Sequence, residues 1–232
     1  MRKSESALGQ WRAVWGDEER MEEHGQLLRF LYEPAAYVHR SRLAELSLDL
    51  NALRAIGGTR RGWVRINKLL LKHFHLNEPS DCGPGLLPRQ RLIFAKSAPL
   101  GQIASLAGAL CWAREIQKVV LKKERKALLD SVGEMAYGFA LRKFLFFNSL
   151  LSDLPRKHFA NLALPQRVMA TGRWCVMLCL NGLADDVKRR FLLKFATQSG
   201  WGEEKLSDRE GPLENIWTLV DRLHGRLEEV VR

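Results

Sequence analysis

Apolar residues recur at helical spacing through most of the chain, and no segment shows the apolar–polar alternation of a half-buried strand. The pattern predicts an all-α fold, an irregular multi-helix globular bundle of roughly eight to ten helices with no significant sheet. The clearest helix is expected from Arg61 to Leu76. There Trp63, Ile66, Leu70 and Phe74 fall on one face, and Arg61, Arg65, Lys68 and Lys72 line the opposite one. Upstream, residues 3–23 read as a helix with Leu8, Trp11 and Trp15 on one stripe, running into the acidic segment 17–23. A second helical pattern stops near Glu33. Pro34 has a fixed φ and no N–H, which suits the first turn of a new helix, and it pushes Glu33 out of the α region. A corner of two short helices is predicted there, packing Leu28, Leu31, Tyr37 and Val38 inward. Ser41 is the expected cap of a helix through Leu48, Asp49 or Asn51 caps the next turn, and Gly57-Gly58-Thr59 ends it.

Residues 77–88 hold the one loop dense in proline and glycine, read as a long loop between two helical halves. Beyond Pro99 the apolar face uses Leu100, Ile103, Leu106, Ala107 and Leu110, then shifts by nearly half a turn to Trp112, Ile116, Val119 and Val120. The helix must break there or be buried on both sides. Opposite the second face, Arg114, Lys118, Lys122 and Arg125 are expected to form a second basic stripe. Gly133 and Gly138 predict a bend or separate helices before Phe139, Leu145 and Phe146 return to the core. Pro165 suits the first turn of a helix through Leu180, apolar on every side from Trp174 onward and therefore central. A helix over Asp185–Ser199 carries Lys188, Arg189, Arg190 and Lys194, with Asp185-Asp186 read as capping and dipole complementarity. The last helix starts at Pro212. Its stripe of Leu213, Ile216, Trp217, Val220, Leu223, Leu227, Val230 and Val231 fits either a core clamp or a partner surface.

Charge adds a partner class to this picture. The formal net charge is +11, and 46% of the residues are hydrophobic, as in a globular chain. Residues 24–198 carry 28 lysines and arginines against 12 acids, whereas the two ends together are net acidic. A basic middle favours acidic partners: nucleic acid, a lipid headgroup surface or an acidic protein face. No apolar run is long enough to span a bilayer, and the first residues lack the apolar core of a secretory signal, so a cytoplasmic protein is expected.

Catalytic signatures are missing from the sequence. It contains no phosphate-binding Gly-Lys-Ser/Thr loop, nucleophile elbow, His-Glu-x-x-His helix or dinucleotide fingerprint. His73 and His75 diverge on a helix, so no metal site is expected; no cofactor and no enzymatic activity are expected either. Cys82, Cys111, Cys175 and Cys179 suggest no disulfide framework; Cys175 and Cys179 read as small buried hydrophobes.

Phe30 to His39, with its core of Pro34, Ala35, Ala36, Tyr37 and His39, resembles the opening signature of the type III secretion adaptor family SctK (YscK, OrgA). The stretch Leu86-Leu87-Pro88 through Arg91-Leu92, then Leu106–Leu110 and Ile116 through Leu121, resembles that family's leucine-rich central region in order and spacing. The similarity covers roughly residues 26–145. It implies a non-enzymatic connector in the cytoplasmic sorting platform beneath the injectisome, peripheral to the inner-membrane face and without membrane insertion. Its implied partners are an SctD-like inner-membrane ring protein and an SctQ-like pod protein, and through the latter SctL and the SctN ATPase. Phe30, Pro34, Ala35, Ala36, Tyr37 and His39 would shape the binding surface, while the faces Arg61/Arg65/Lys68/Lys72 and Arg114/Lys118/Lys122/Arg125 would meet an acidic partner. The organisation expected is an N-terminal extension over 1–25, the family domain over 26–200, and a C-terminal loop and helix over 201–232. The strong positive charge and the tryptophan-bearing extension depart from the family signature. The rival reading is a basic helical nucleic-acid-binding protein; against it, Trp63 and Trp112 fall on apolar faces instead of being exposed for stacking.

Overall fold

A computed structural model of the chain describes residues 18–46, 50–76, 88–147, 150, 156–201 and 213–231. Leu8, Trp11 and Trp15, Asp49, nearly all of the 77–88 stretch and the polar segment 203–211 lie outside the described residues. Among those described there are eleven α-helices and no strand. Backbone contacts divide the chain into two compact units, Met1–Asp81 with Asp185–Ala196, and Cys82–Ala184 with Thr197–Arg232. The stretch expected as one domain over 26–200 is thus distributed over both.

The described helices of the first unit are α1 (Glu18–Tyr32), α2 (Arg40–Ala44), α3 (Leu50–Gly57), α4 (Arg60–His73) and, from the later segment, a helix beginning at Asp185. A 3-10 turn over Pro34–Ala36 forms the corner between α1 and α2, and Glu33 sits at φ −119°, outside the α region as its proline neighbour requires. His39, rather than Ser41, caps α2: its side chain accepts from the Ser41 N–H at 3.2 Å. α2 also ends at Ala44, short of the expected Leu48. α3 stops at Gly57 as the glycine pair predicts, and Thr59 caps α4 by accepting from the Gly62 N–H at 3.0 Å. A Cβ at Gly62 would strike the carbonyl of Ile56, so the tight α3–α4 turn requires glycine there. Leu31 is buried with Phe30, but Leu28 is exposed and not part of the core.

In the second unit the helices are α5 (Ser97–Cys111), α6 (Ala113–Gln117), α7 (Lys122–Val132), α8 (Glu134–Phe147) and α9 (Leu164–Leu178). The later Asp185–Leu192 helix of the first unit is α10, and Leu213–Val231, which belongs to the second, is α11. α5 and α9 form the centre. Ile103, Ala104, Leu106–Cys111 and Cys175–Leu180 are all buried, the outcome their unbroken apolar runs predict. Gly108 faces the Val168 backbone and Gly172 the Ala104 backbone, so these helices meet main chain to main chain. The apolar face does break at Trp112, whose indole Nε1 donates to Thr171 Oγ1 at 2.8 Å. A hydrogen bond to Cys111 and burial hold the Cys175 thiol well above its ordinary range. α11 resolves the alternative left by its stripe: Ile216, Leu219, Val220 and Leu223 are buried, and Trp217 Nε1 donates to the Leu178 carbonyl at 3.3 Å. Over residues 216–223 it is clamped to the core of its unit, while the side chains of Leu213, Leu227, Val230 and Val231 lie outside the described residues.

Further expectations fail in the later helices. The Asp185–Ser199 helix ends at Leu192 and gives way to turns. The apolar face expected at Val119 and Val120 does not form, because α6 stops at Gln117 and the chain runs non-helically to α7, leaving Val120 and Leu121 exposed. Leu145 and Phe146 likewise face solvent rather than the core.

Candidate functional site

Hydrogen bonds within the first unit tie the corner together. The Tyr37 ring stacks on Phe30 at 5.1 Å between centroids, and its hydroxyl donates to the Phe30 carbonyl at 2.8 Å. The Ala35 N–H donates to Asn67 Oδ1 at 2.9 Å, and Asn67 Nδ2 donates to the Trp63 carbonyl, which ties the corner to α4. The His39 N–H donates to the Leu193 carbonyl at 2.8 Å, and Arg42 Nε to the Phe195 carbonyl at 2.8 Å. Phe30 and Pro34 are buried, Ala35, Tyr37 and His39 half-buried, and Ala36 exposed. Phe30, Pro34, Ala35, Ala36, Tyr37 and His39 lie together at this corner, and what they build is a joint.

The side chains that complete this joint escaped the sequence reading. Arg190, in the last turn of α10, is fully buried and donates from Nε to the Leu31 carbonyl at 3.1 Å and from a terminal nitrogen to Asp186 Oδ2 at 2.7 Å. Asp186 stands in the first turn of α10, where dipole complementarity is expected of it, and is in addition a buried ion-pair partner. Its other oxygen, Oδ1, is buried with no hydrogen-bond partner among the described residues. Two residues beyond α10, Lys194 Nζ lies 5.3 Å from the Phe30 ring centroid, 5.7 Å from Tyr37 and 5.6 Å from Phe191, a cation among three aromatic faces. The i, i+4 spacing of Asp186 and Arg190 was the available signal, but the same spacing is common on solvated helix faces.

Burial lowers Lys194 from 10.5 to about 7. It raises the Tyr37 phenol above its ordinary range, opposed by the Arg190 guanidinium. Between about pH 7 and 10.5 the unfolded chain holds a proton on this lysine that the folded chain does not, so stability rises with pH through that window. Above Tyr37's ordinary value of 10.0 the phenol contributes with the opposite sign, because the unfolded chain releases the phenol proton first. The urea midpoint is expected to climb from about pH 6 to about pH 9, equivalent to about 2 kcal/mol, and Lys194→Met should remove that climb. An unchanged pH profile in the variant would count against the buried-lysine account.

The two basic faces fare differently. Arg61, Arg65, Lys68 and Lys72 are all exposed on α4, opposite buried Ile66 and Leu70, and the helix contains no acid. Arg114, Lys118, Lys122 and Arg125 are exposed too, but they share no helix face: Arg114 lies on α6, Lys118 at its end, and Lys122 and Arg125 on α7. Arg114 covers the Phe144 ring and Arg125 the Tyr137 ring. Among the described residues no three His, Cys, Asp or Glu are placed to hold a metal, and no helix is long and apolar enough to cross a membrane. The cavity beside Arg91, Cys179, Trp217, Asp221 and His224 has about 20 Å³, room for about one water.

A family model described as YOP proteins translocation protein K (YscK) matches residues 26–209, which contain the corner, both basic faces and α1 from Gln26 through α10. The chain belongs to the YscK family. It is accordingly a type III secretion protein, a component of the secretion apparatus. The YscK match begins where the sequence resemblance begins and continues well past residue 145. No curated protein and no solved structure matches the chain.

Proposed function

We propose that this YscK-family chain is a non-enzymatic adaptor of the cytoplasmic sorting platform, joining an SctD-like ring protein to an SctQ-like pod protein. Through the pod it would connect to SctL and the SctN ATPase, at the inner-membrane face of the apparatus. The observation that carries this reading is the α4 surface: four exposed cations with no acid among them, on a helix whose other side is anchored to the family motif through Asn67. Such a face is complementary to an acidic protein surface and sets orientation and association rate more than raw affinity. The corner's own role is to hold α1, α4 and α10 in register, so substitutions within it report on folding and those on α4 report on binding.

The test is co-purification of the tagged full chain from a host carrying a type III secretion cluster, beside Arg65→Glu/Lys68→Glu and a nuclease-treated sample. Recovery of the pod or ring protein is expected, salt-sensitive and reduced about tenfold by the double charge reversal. Recovery of nucleic acid alone, abolished by nuclease, would replace the adaptor reading with the nucleic-acid one. Partner recovery unaffected by the reversal would remove α4 from the interface.

A further inference from the structure

The connection between α6 and α7 in the second unit holds that unit's most exposed large apolar residue among those described. Val120 is 88% exposed and Leu121 63% exposed, and every residue from 120 to 127 faces solvent. Between Lys118 and Lys126 the segment carries five lysines and arginines against one glutamate, Glu124. Two adjacent aliphatic side chains in water gain nothing for the fold, whereas Ile116 before them and Leu128 after them are buried and anchor the segment at both ends. The result is an anchored projection with an apolar tip and a cationic collar.

We infer that this tip, Val120 and Leu121 with Lys118, Lys122, Lys123, Arg125 and Lys126, docks the protein on an anionic lipid surface. A projecting tip suits a flat, deformable surface. A partner helix would need a groove, and residues exposed to this degree line none. Aliphatic side chains enter the headgroup boundary while lysine stems lie along it with their ammonium groups in water, and each added cation strengthens attraction to anionic lipid. The five cations fit that chemistry on charge, and the two aliphatics distinguish it from a merely screened surface contact. The binding is peripheral and reversible, and it does not depend on the adaptor reading, whose α4 surface lies in the other unit.

The experiment is co-sedimentation of the full chain with vesicles containing phosphatidylglycerol, beside vesicles of phosphatidylcholine alone. Val120→Asp/Leu121→Asp and Lys122→Glu/Lys123→Glu are compared with Arg65→Glu/Lys68→Glu, and circular dichroism checks that each variant is folded. The wild type is expected to pellet with the anionic vesicles only. Both tip variants should lose association on the order of tenfold, and the α4 variant should retain it. Equal pelleting of wild type and tip variants would overturn the proposal. So would the absence of vesicle association together with loss of a co-purifying protein in the tip variants, which would give the tip to an acidic protein face.

Discussion

Arg190→Ala is expected to destabilise the first unit by about 3–5 kcal/mol, because it strips the cation hydrogen-bonded to the buried Asp186. The side chains of Arg190 and Asp186 are 1% and 8% exposed and 2.7 Å apart, so neither is screened by solvent. Asp186 Oδ1 already lacks a partner among the described residues, and without the guanidinium Oδ2 would lack this one as well. The Leu31 carbonyl at the end of α1 would lose its donor at the same time. Removing both charges is a different experiment. Arg190→Met with Asp186→Leu should recover most of the loss, since an apolar pair carries no desolvation penalty. Chemical denaturation of the two single variants and the double variant closes the cycle. A loss under about 1 kcal/mol for Arg190→Ala would mean that water reaches the pair and that the joint is held by its other bonds.

Gly172→Ala should be nearly as damaging to the second unit, by about 3 kcal/mol or somewhat less. A Cβ at Gly172 would overlap the Ala104 carbonyl, and one at Gly108 would overlap the Val168 carbonyl. The colliding atoms are backbone, so no rotamer change relieves the overlap and the two central helices must move apart. Separation would open gaps along Ile103, Ala107, Cys175 and Val176, all fully buried. Gly101 supplies the control. It lies on α5, the helix packed against α9, with nothing within 4 Å of its missing Cβ, so Gly101→Ala should stabilise by up to about 1 kcal/mol through helix propensity. Thermal melts of the two variants should move in opposite directions. Similar shifts would show that α5 and α9 are not in main-chain contact.

Much of the architecture was legible because it depends on local chemistry. Pro34 displaces Glu33 from the α region, Gly57 ends α3, and the apolar run over 175–180 is buried, all consequences of a few neighbouring residues. The motif was legible too, although its residues make a joint whose polar groups bond inward. The second basic stripe was misread for a physical reason. Helical periodicity was extended across Val119, Val120 and Leu121, β-branched residues and a leucine that do hold helices elsewhere, and no glycine or proline marks the break. Once the helix ends at Gln117, residues spaced four apart no longer share a face.

By itself the sequence determined the all-α class, most helix boundaries set by proline, glycine or a cap, the basic middle, and the likeness to YscK that the family match bears out. Those properties are written in spacings of a few residues and in composition. Only the tertiary structure decided that Asp186, Arg190 and Lys194 leave the solvated side of their segment to complete the Pro34 joint. It likewise decided that α11 is clamped inward over residues 216–223 and that Val120 and Leu121 stand outward. Burial depends on which distant segment arrives opposite a side chain. Leu31 and Arg190 are 159 positions apart, a separation across which periodicity carries no information.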